Sequence, residues 1–248
     1  MVLVGHVTRE GTVAGPRIVE HLVDVVCQFE GDRHSRLRLV RAVKNRYGAT
    51  DEVGCFELVD SGIHGLADPS GLFLSARNLT VPGTCVTVTL EGRRPMPVEV
   101  QALSVAAAGP PRRTTSGVDS SRVAMTLAVL QSRLGIEFER NDVFVSTVGG
   151  AKASEPSVDV AIALALASAA LDLPLAPGVI AIGEVSLTGE LRPVVGLQRR
   201  INEAARLGFH TAVVPVTGDD LKVPDGMSVR AVADVQSAAR SVLPVNVN

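Results

Sequence analysis

The sequence predicts an α/β protein, and three observations carry that prediction. Short apolar runs of strand type recur along the chain, such as "VLVGHV" (2–7), "VFVSTVGG" (143–150) and "HTAVVPV" (210–216). Segments with helical spacing lie between them, among them 120–134 and 196–209. A further segment, 157–171, is apolar nearly all round, which predicts a helix enclosed by the rest of its domain. With 248 residues, 46% of them hydrophobic, the chain can bury a sizeable core in one large or two ordinary domains.

Taken in order, "VLVGHV" reads as a buried parallel strand because its apolar run is nearly continuous. A Gly-rich loop, Thr8–Gly15, follows it. Pro16 suits a helix start, and "RIVEHLVDVV" has helical spacing at Ile18, Leu22 and Val25/Val26. "HSRLRLVRAV" (34–43) and "GCFELVD" (54–60) read as strands. "LTVPGT" (79–84) marks a boundary, which divides the chain into domains 1–79 and 80–248. "CVTVTLEGRRPMPVEVQAL" (85–103) is two alternating strands turning at Glu91–Arg94. "AAAGPPRRTTSG" (106–117) has loop composition. Asp119 caps a helix over 120–134, with Val123, Leu127, Leu130 and Leu134 on one stripe and Gly135 as its stop. After the strand 143–150 and the buried helix, "GVIAIGEVSLTGELRPV" (178–194) is a strand running into a hairpin at Thr188–Gly189. Then come an amphipathic helix (196–209), a strand (210–216) and a last short helix (233–243).

Composition excludes several classes. The net charge is −2, so any nucleic-acid surface must be a local patch. With no Trp, one Tyr and six Phe, the composition weighs against a base-stacking platform for single strands. Cys27, Cys55 and Cys85 are odd in number and far apart, so neither a disulfide framework nor a zinc site is expected, and a reducing cytoplasm fits. They read as small buried apolar residues. The N-terminus turns charged too early for a signal peptide, and the longest apolar run is too short to span a bilayer.

The densest charge lies in "DRHSRLRLVRAVKNRYG" (32–48), where six cations face one acid for a local net charge of +5. Arg36, Arg38 and Arg41 could contact a phosphate backbone or line a solvated strand face. Lys44, Asn45, Arg46, Tyr47 and Gly48 sit where a strand should end, and strand ends in α/β sheets face ligands.

These residues carry a resemblance. "LVGHVTREGTVAGPRIVEHLVDVV" and the "KNRYG" segment closely resemble the RadA/Sms family of bacterial DNA-repair proteins, whose characteristic motif is KNRFG; Tyr47 replaces the Phe. The likeness continues through "PSGLFLS", "PRRTTSGVD", "VFVSTVGG" and "GEVSLTGELRPV". It implies the C-terminal part of a RecA-like sheet followed by a Lon-protease-like α+β domain of the ribosomal protein S5 domain 2 kind. It also implies a hexameric, ATP- and Mg²⁺-dependent motor for branch migration. The implied partners are single-stranded and branched DNA and a RecA-type recombinase. By the same resemblance the KNRYG residues act at the ATPase–DNA interface, His6 senses nucleotide and the loop Thr8–Gly15 faces DNA. The family's zinc finger is not in this sequence. Nor is there a G-x-x-x-x-G-K-[S/T] loop, and none of the three lysines, Lys44, Lys152 and Lys222, follows one. ATP hydrolysis by this chain alone is therefore not expected, nor is any cofactor of its own.

The Lon resemblance bears on a serine. Lon-type peptidases use a Ser–Lys dyad, with the serine in a G-P-S-A-G setting. Glu155-Pro156-Ser157-Val158-Asp159 falls on that motif, and "PVVGLQRR" (193–200) falls on the lysine segment with Arg200 at the lysine position. A serine nucleophile needs a neutral amine to take its proton, and arginine stays protonated. The dyad is therefore expected to be dead, with Ser157 serving as a helix cap or first-turn residue. Arg199, Arg200 and Arg206 are expected on a solvated helix face, a subunit contact or a DNA-backbone surface. A Lon-type serine peptidase and a structural partner for a full-length paralogue are the alternative functions.

Overall fold

The computed structural model describes residues 2–5, 22–31, 36–74, 81–218 and 220–244. The chain forms two compact units: Met1–Ala67 with Gly92–Arg94, and Asp68–Glu91 with Pro95–Asn248.

The first unit is built on four strands, β1 (Val25–Glu30), β2 (Leu37–Asn45), β3 (Val53–Val59) and β4 (Gly62–Gly65), in the order β1-β2-β3-β4. Every pairing is antiparallel. Among its described residues, Leu37, Val53 and Cys55 are the buried apolar side chains. Two expectations are corrected. Val25 and Val26 do not end a helix; they open β1, paired with Asn45 and Lys44. Both are β-branched, and the ladder offered by β2 overrides their helical spacing. Residues 2–5 are not a buried strand: Val2 and Val4 are exposed and no described strand pairs with them. Leu22, at the end of the expected helix, is helical, and Val23 and Asp24 lead from it into β1; residues 16–21 of that helix, with His6 and Thr8–Gly15, lie outside the described residues.

The second unit is mixed α/β, as the sequence predicts. A seven-stranded sheet has the order β13-β12-β9-β5-β6-β8-β7. Its strands are β5 (Thr84–Glu91), β6 (Arg94–Ala106), β7 (Arg113–Ser116), β8 (Asn141–Thr147), β9 (Val179–Ala181), β12 (Thr211–Pro215) and β13 (Ser228–Val232). The pairs β13/β12, β12/β9, β9/β5 and β8/β7 are parallel, while β6/β8 is antiparallel. The small hairpin β10 (Glu184–Val185) and β11 (Leu191–Arg192) turns through Gly189, whose φ of 85° suits glycine. The expected loop 106–117 contains β7, which exists because β8 supplies a parallel partner for Arg113–Ser116.

Among the described residues this unit also has the α-helices α1 (Ser120–Leu134), α2 (Asp159–Leu171), α3 (Leu197–Arg206) and α4 (Val235–Val242). Helix α1 starts and stops as expected. Asp119 accepts from the backbone N–H of Arg122, and Gly135 ends the helix at φ 67°. Every residue of α2 from Asp159 to Ser168 is buried, and the helix packs against α1, α4 and β5. Leu197, Ile201 and Ala204 of α3 join Val88, Ile180, Ile182, Ala212, Val214 and Met227 in one apolar cluster. Cys55 and Cys85 are buried as expected, but Cys27 is exposed, because its position in β1 alternates outward. Among the described residues no helix is long and apolar enough to cross a membrane.

Candidate functional site

Ser157 lies in a 3₁₀ turn, Pro156–Val158, that leads into α2. Its hydroxyl does not cap that helix; Val158 holds the cap position without a side-chain bond. The Ser157 carbonyl accepts from Gly183 N, which ties the turn to the end of β9. The Ser157 Oγ accepts from Arg200 Nη1 at 2.8 Å. Arg200 is not on the solvated face of α3. It is 2% exposed, the largest of the most deeply buried side chains.

What holds a guanidinium there is a full set of acceptors. Its Nη1 also donates to Glu155 Oε1 (2.7 Å) and to the Val88 carbonyl (2.6 Å). Nη2 donates to Glu155 Oε2 (2.9 Å), and Nε donates to the Val195 carbonyl (3.1 Å). Glu155 Oε1 accepts in addition from Leu90 N. Burial works to raise the Glu155 carboxyl, but Arg200, together with Leu90 N–H and Ser157, holds the group below the ordinary carboxylate value. A bidentate Arg–carboxylate fork of this kind is strong and geometrically specific.

The chemistry of this cluster is therefore closed. Arginine cannot take a proton from Ser157. The serine is itself only 1% exposed, so a peptide carbonyl has no approach to its Oγ. Glu155 is the residue that sequence reasoning missed as a partner. Its carboxylate takes both Nη1 and Nη2 of Arg200, so the two residues neutralise each other inside the unit.

Asp159 repeats this pattern. Both of its oxygens accept from Arg122 Nη1, at 3.2 and 2.9 Å. The backbone N–H of Val185 donates to Oδ2. Burial pushes the Asp159 carboxyl up to about 6, with Glu184 reinforcing it, against the pull of Val185 N–H and Arg122. An acid with a raised native pKa binds its proton more tightly when folded. Its contribution to stability is complete below the unfolded value near 3.8 and is lost as pH rises through about 6. Denaturant titrations of Asp159→Asn against the unmodified protein should therefore diverge with pH. The variant should gain about 1–3 kcal/mol relative to the unmodified chain between pH 4 and pH 7. A pH-independent difference would overturn the assignment.

In the first unit, Lys44 and Asn45 are the last two residues of β2, and Arg46–Gly48 turn away from it. Lys44 Nζ donates to the Val23 carbonyl at 2.8 Å. Arg46 Nη1 pairs with Asp24 Oδ1 at 2.8 Å, and Arg46 N donates to the Asp24 carbonyl. Asn45 Oδ1 accepts from Tyr47 N, while Asn45 Nδ2 donates to the Ala49 carbonyl. Asn45 and Gly48 thus shape the loop: a Cβ on Gly48 would sit 3.1 Å from Asn45 Nδ2. Tyr47 projects outward and is 79% exposed.

The strand arginines do not gather on one surface. Arg38 and Arg41 lie three residues apart on β2 and so point to opposite faces. Arg36 pairs with Glu57 (3.7 Å) and Arg41 with Glu30 (3.6 Å), while Arg38 Nη1 donates to the Leu37 carbonyl. On α3, Arg199 is exposed and Arg206 pairs with Glu203 and Asp68. Among the described residues no group of three or more His, Cys, Asp or Glu side chains could hold a metal ion.

The amino-acid sequence is similar to those of known proteins. Residues 112–218, within the second unit, match the family described as subunit ChlI of Mg-chelatase. A protein of Mycolicibacterium smegmatis named DNA repair protein RadA is 58% identical over 244 residues, covering 98% of this chain and 52% of that protein. The protein of the same name from Mycobacterium tuberculosis is 51% identical over 246 residues, 99% of this chain and 51% of the relative. That from Bacillus subtilis is 44% identical over 243 residues, 97% and 53% of the two chains. The chain spans about half the length of the curated relatives it matches.

Proposed function

Because the chain belongs to the RadA family of bacterial DNA repair proteins, about half of whose length it spans, we propose that it is the DNA-binding and assembly part of a DNA-repair ATPase. In this reading the first unit is the end of a RecA-like core. The second is a Lon-like domain whose catalytic pair has been converted into a structural one. A single observation carries the second half of the reading: the guanidinium of Arg200, 2.8 Å from Ser157 Oγ, stands where a peptidase would need a neutral base.

Lys44 and Arg46 supply positive charge at the KNRYG loop for phosphates, and Arg46 can exchange its exposed partner Asp24 for one at little cost. ATP and Mg²⁺ are the cofactors of the family's motor. The residues of this chain do not make a complete site for them. The sequence has no glycine-rich phosphate loop ending in Lys-Ser or Lys-Thr, and the described residues have no carboxylate cluster. Any contact between KNRYG and ATP would therefore involve nucleotide held by residues outside this sequence. Assembly into a hexameric ring, branched DNA as substrate, a RecA-type recombinase as partner and a cytoplasmic location belong to the same proposal.

Gel-shift titrations test it. The chain should retard single-stranded and branched DNA at low salt, with affinity falling steeply as salt rises. Absence of any shift at low salt would overturn the DNA-binding role. In a fluorogenic peptide assay, the unmodified chain and Ser157→Ala should give the same background rate. A rate lost on that substitution would restore the peptidase.

A further inference from the structure

Within the KNRYG loop the structure divides the labour among five adjacent residues. Asn45 spends both ends of its amide on the loop's own backbone, at Tyr47 N and the Ala49 carbonyl. This is the side-chain mimic of a turn that asparagine is suited to make. Gly48 leaves room for that amide. The Arg46 side chain reaches back to Asp24 and the Lys44 side chain to the Val23 carbonyl. The result is a braced turn that holds one aromatic ring out from the unit, 79% exposed, directly after the two cationic residues Lys44 and Arg46 in the chain. An exposed tyrosine has a cost in apolar area presented to water, and this chain is otherwise poor in aromatics.

We propose that Tyr47 is a stacking platform for a nucleobase whose phosphate lies against Lys44 and Arg46. The proposal rests on the reading of this loop as a nucleotide or DNA contact and assigns its parts. Asn45 positions, the cations hold phosphate, and the tyrosine ring takes the base. A single exposed ring suffices for this, because every base has a π-face and stacking does not depend on sequence. The two sources of such a ligand, a single strand and a mononucleotide, share the chemistry and are separated by experiment.

The sequence supplies the probe. Tyr47 is the one tyrosine and there is no tryptophan, so the tyrosine emission of the intact chain reports on this ring alone. Three ligands are titrated: an oligothymidylate, an abasic deoxyribose-phosphate strand of the same length, and ATP. Strand binding is followed independently by the anisotropy of a dye on the strand. Emission should be quenched by the oligothymidylate and left unchanged by the abasic strand. Quenching by ATP as well identifies a mononucleotide as a sufficient ligand; quenching by the strand alone identifies the strand. Tyr47→Ala should weaken oligothymidylate binding by about five- to a hundredfold without affecting the abasic strand, and Tyr47→Phe should restore most of the loss.

The proposal is overturned if the strand binds without quenching, if the abasic strand quenches equally, or if Tyr47→Ala binds oligothymidylate like the unmodified chain. In those cases a loss of strand binding in Lys44→Ala and Arg46→Ala would leave the phosphate role of the loop standing. If neither strand nor ATP binds at all, both the stacking platform and the underlying reading of the loop fail together.

Discussion

Glu155→Ala is expected to destabilise the second unit by about 3 kcal/mol, with an unchanged slope in denaturant titration. The variant leaves Arg200 2% exposed with its charge uncompensated, and it leaves Leu90 N without its acceptor. Breaking a buried pair in this one-sided way is costly, whereas removing both charges need not be. The double variant Glu155→Leu/Arg200→Met should therefore recover much of the loss. If the double variant is as unstable as the sum of the single changes, the ion pair is not what holds these elements together. The loss should also appear in the unmodified protein at acid pH. Glu155 has a native pKa held below its ordinary value, so its contribution is present above that value and lost as pH falls through the native one. Arg200→Lys should not create a peptidase. The neighbouring Glu155 carboxylate would keep a lysine amine protonated, which is the form that cannot act as a base.

Gly149→Ala is expected to cost about 3 kcal/mol or more. Gly149 has φ 66°, and an added Cβ would fall on the carbonyl oxygen of Leu72, which is backbone and cannot swing aside. The neighbouring Gly150 is an internal control. Its φ of 71° is equally unsuited to a side chain, but nothing lies within 4 Å of its Cβ position. Gly150→Ala should therefore lose only about 1–2 kcal/mol for the left-handed backbone. Thermal unfolding of the two variants side by side isolates the steric part as their difference. Equal losses would mean that the close approach to Leu72 contributes nothing. The position matters for the site as well, since residues 151–154 run from these glycines directly to Glu155.

Much of the fold was legible before any coordinates. Helix α1 could be bounded at both ends because Asp119 and Gly135 act locally, through one hydrogen bond and one backbone angle. Helix α2 could be recognised as buried because no face of it is polar beyond its first turn. The strands that escaped, β4, β7 and β13, are short or polar, and each exists because a neighbouring strand completes its ladder. Val25 and Val26 show the same effect in reverse: a plausible helical spacing yields to a strand partner about 20 residues ahead.

At the serine, the sequence alone determined that Arg200 cannot act as a base, because arginine stays protonated, and that follows from side-chain chemistry without geometry. What Arg200 does instead was decided by tertiary structure. An arginine on an amphipathic helix reads as solvated, because sequence pattern records which face a residue lies on and not which acceptors await it. Only the approach of β5, the 3₁₀ turn and α3 brings Glu155, Ser157 and the Val88 carbonyl to one guanidinium. Burial of a charge is set by partners separated by 45 and 112 residues, and a one-dimensional pattern carries no information about that distance.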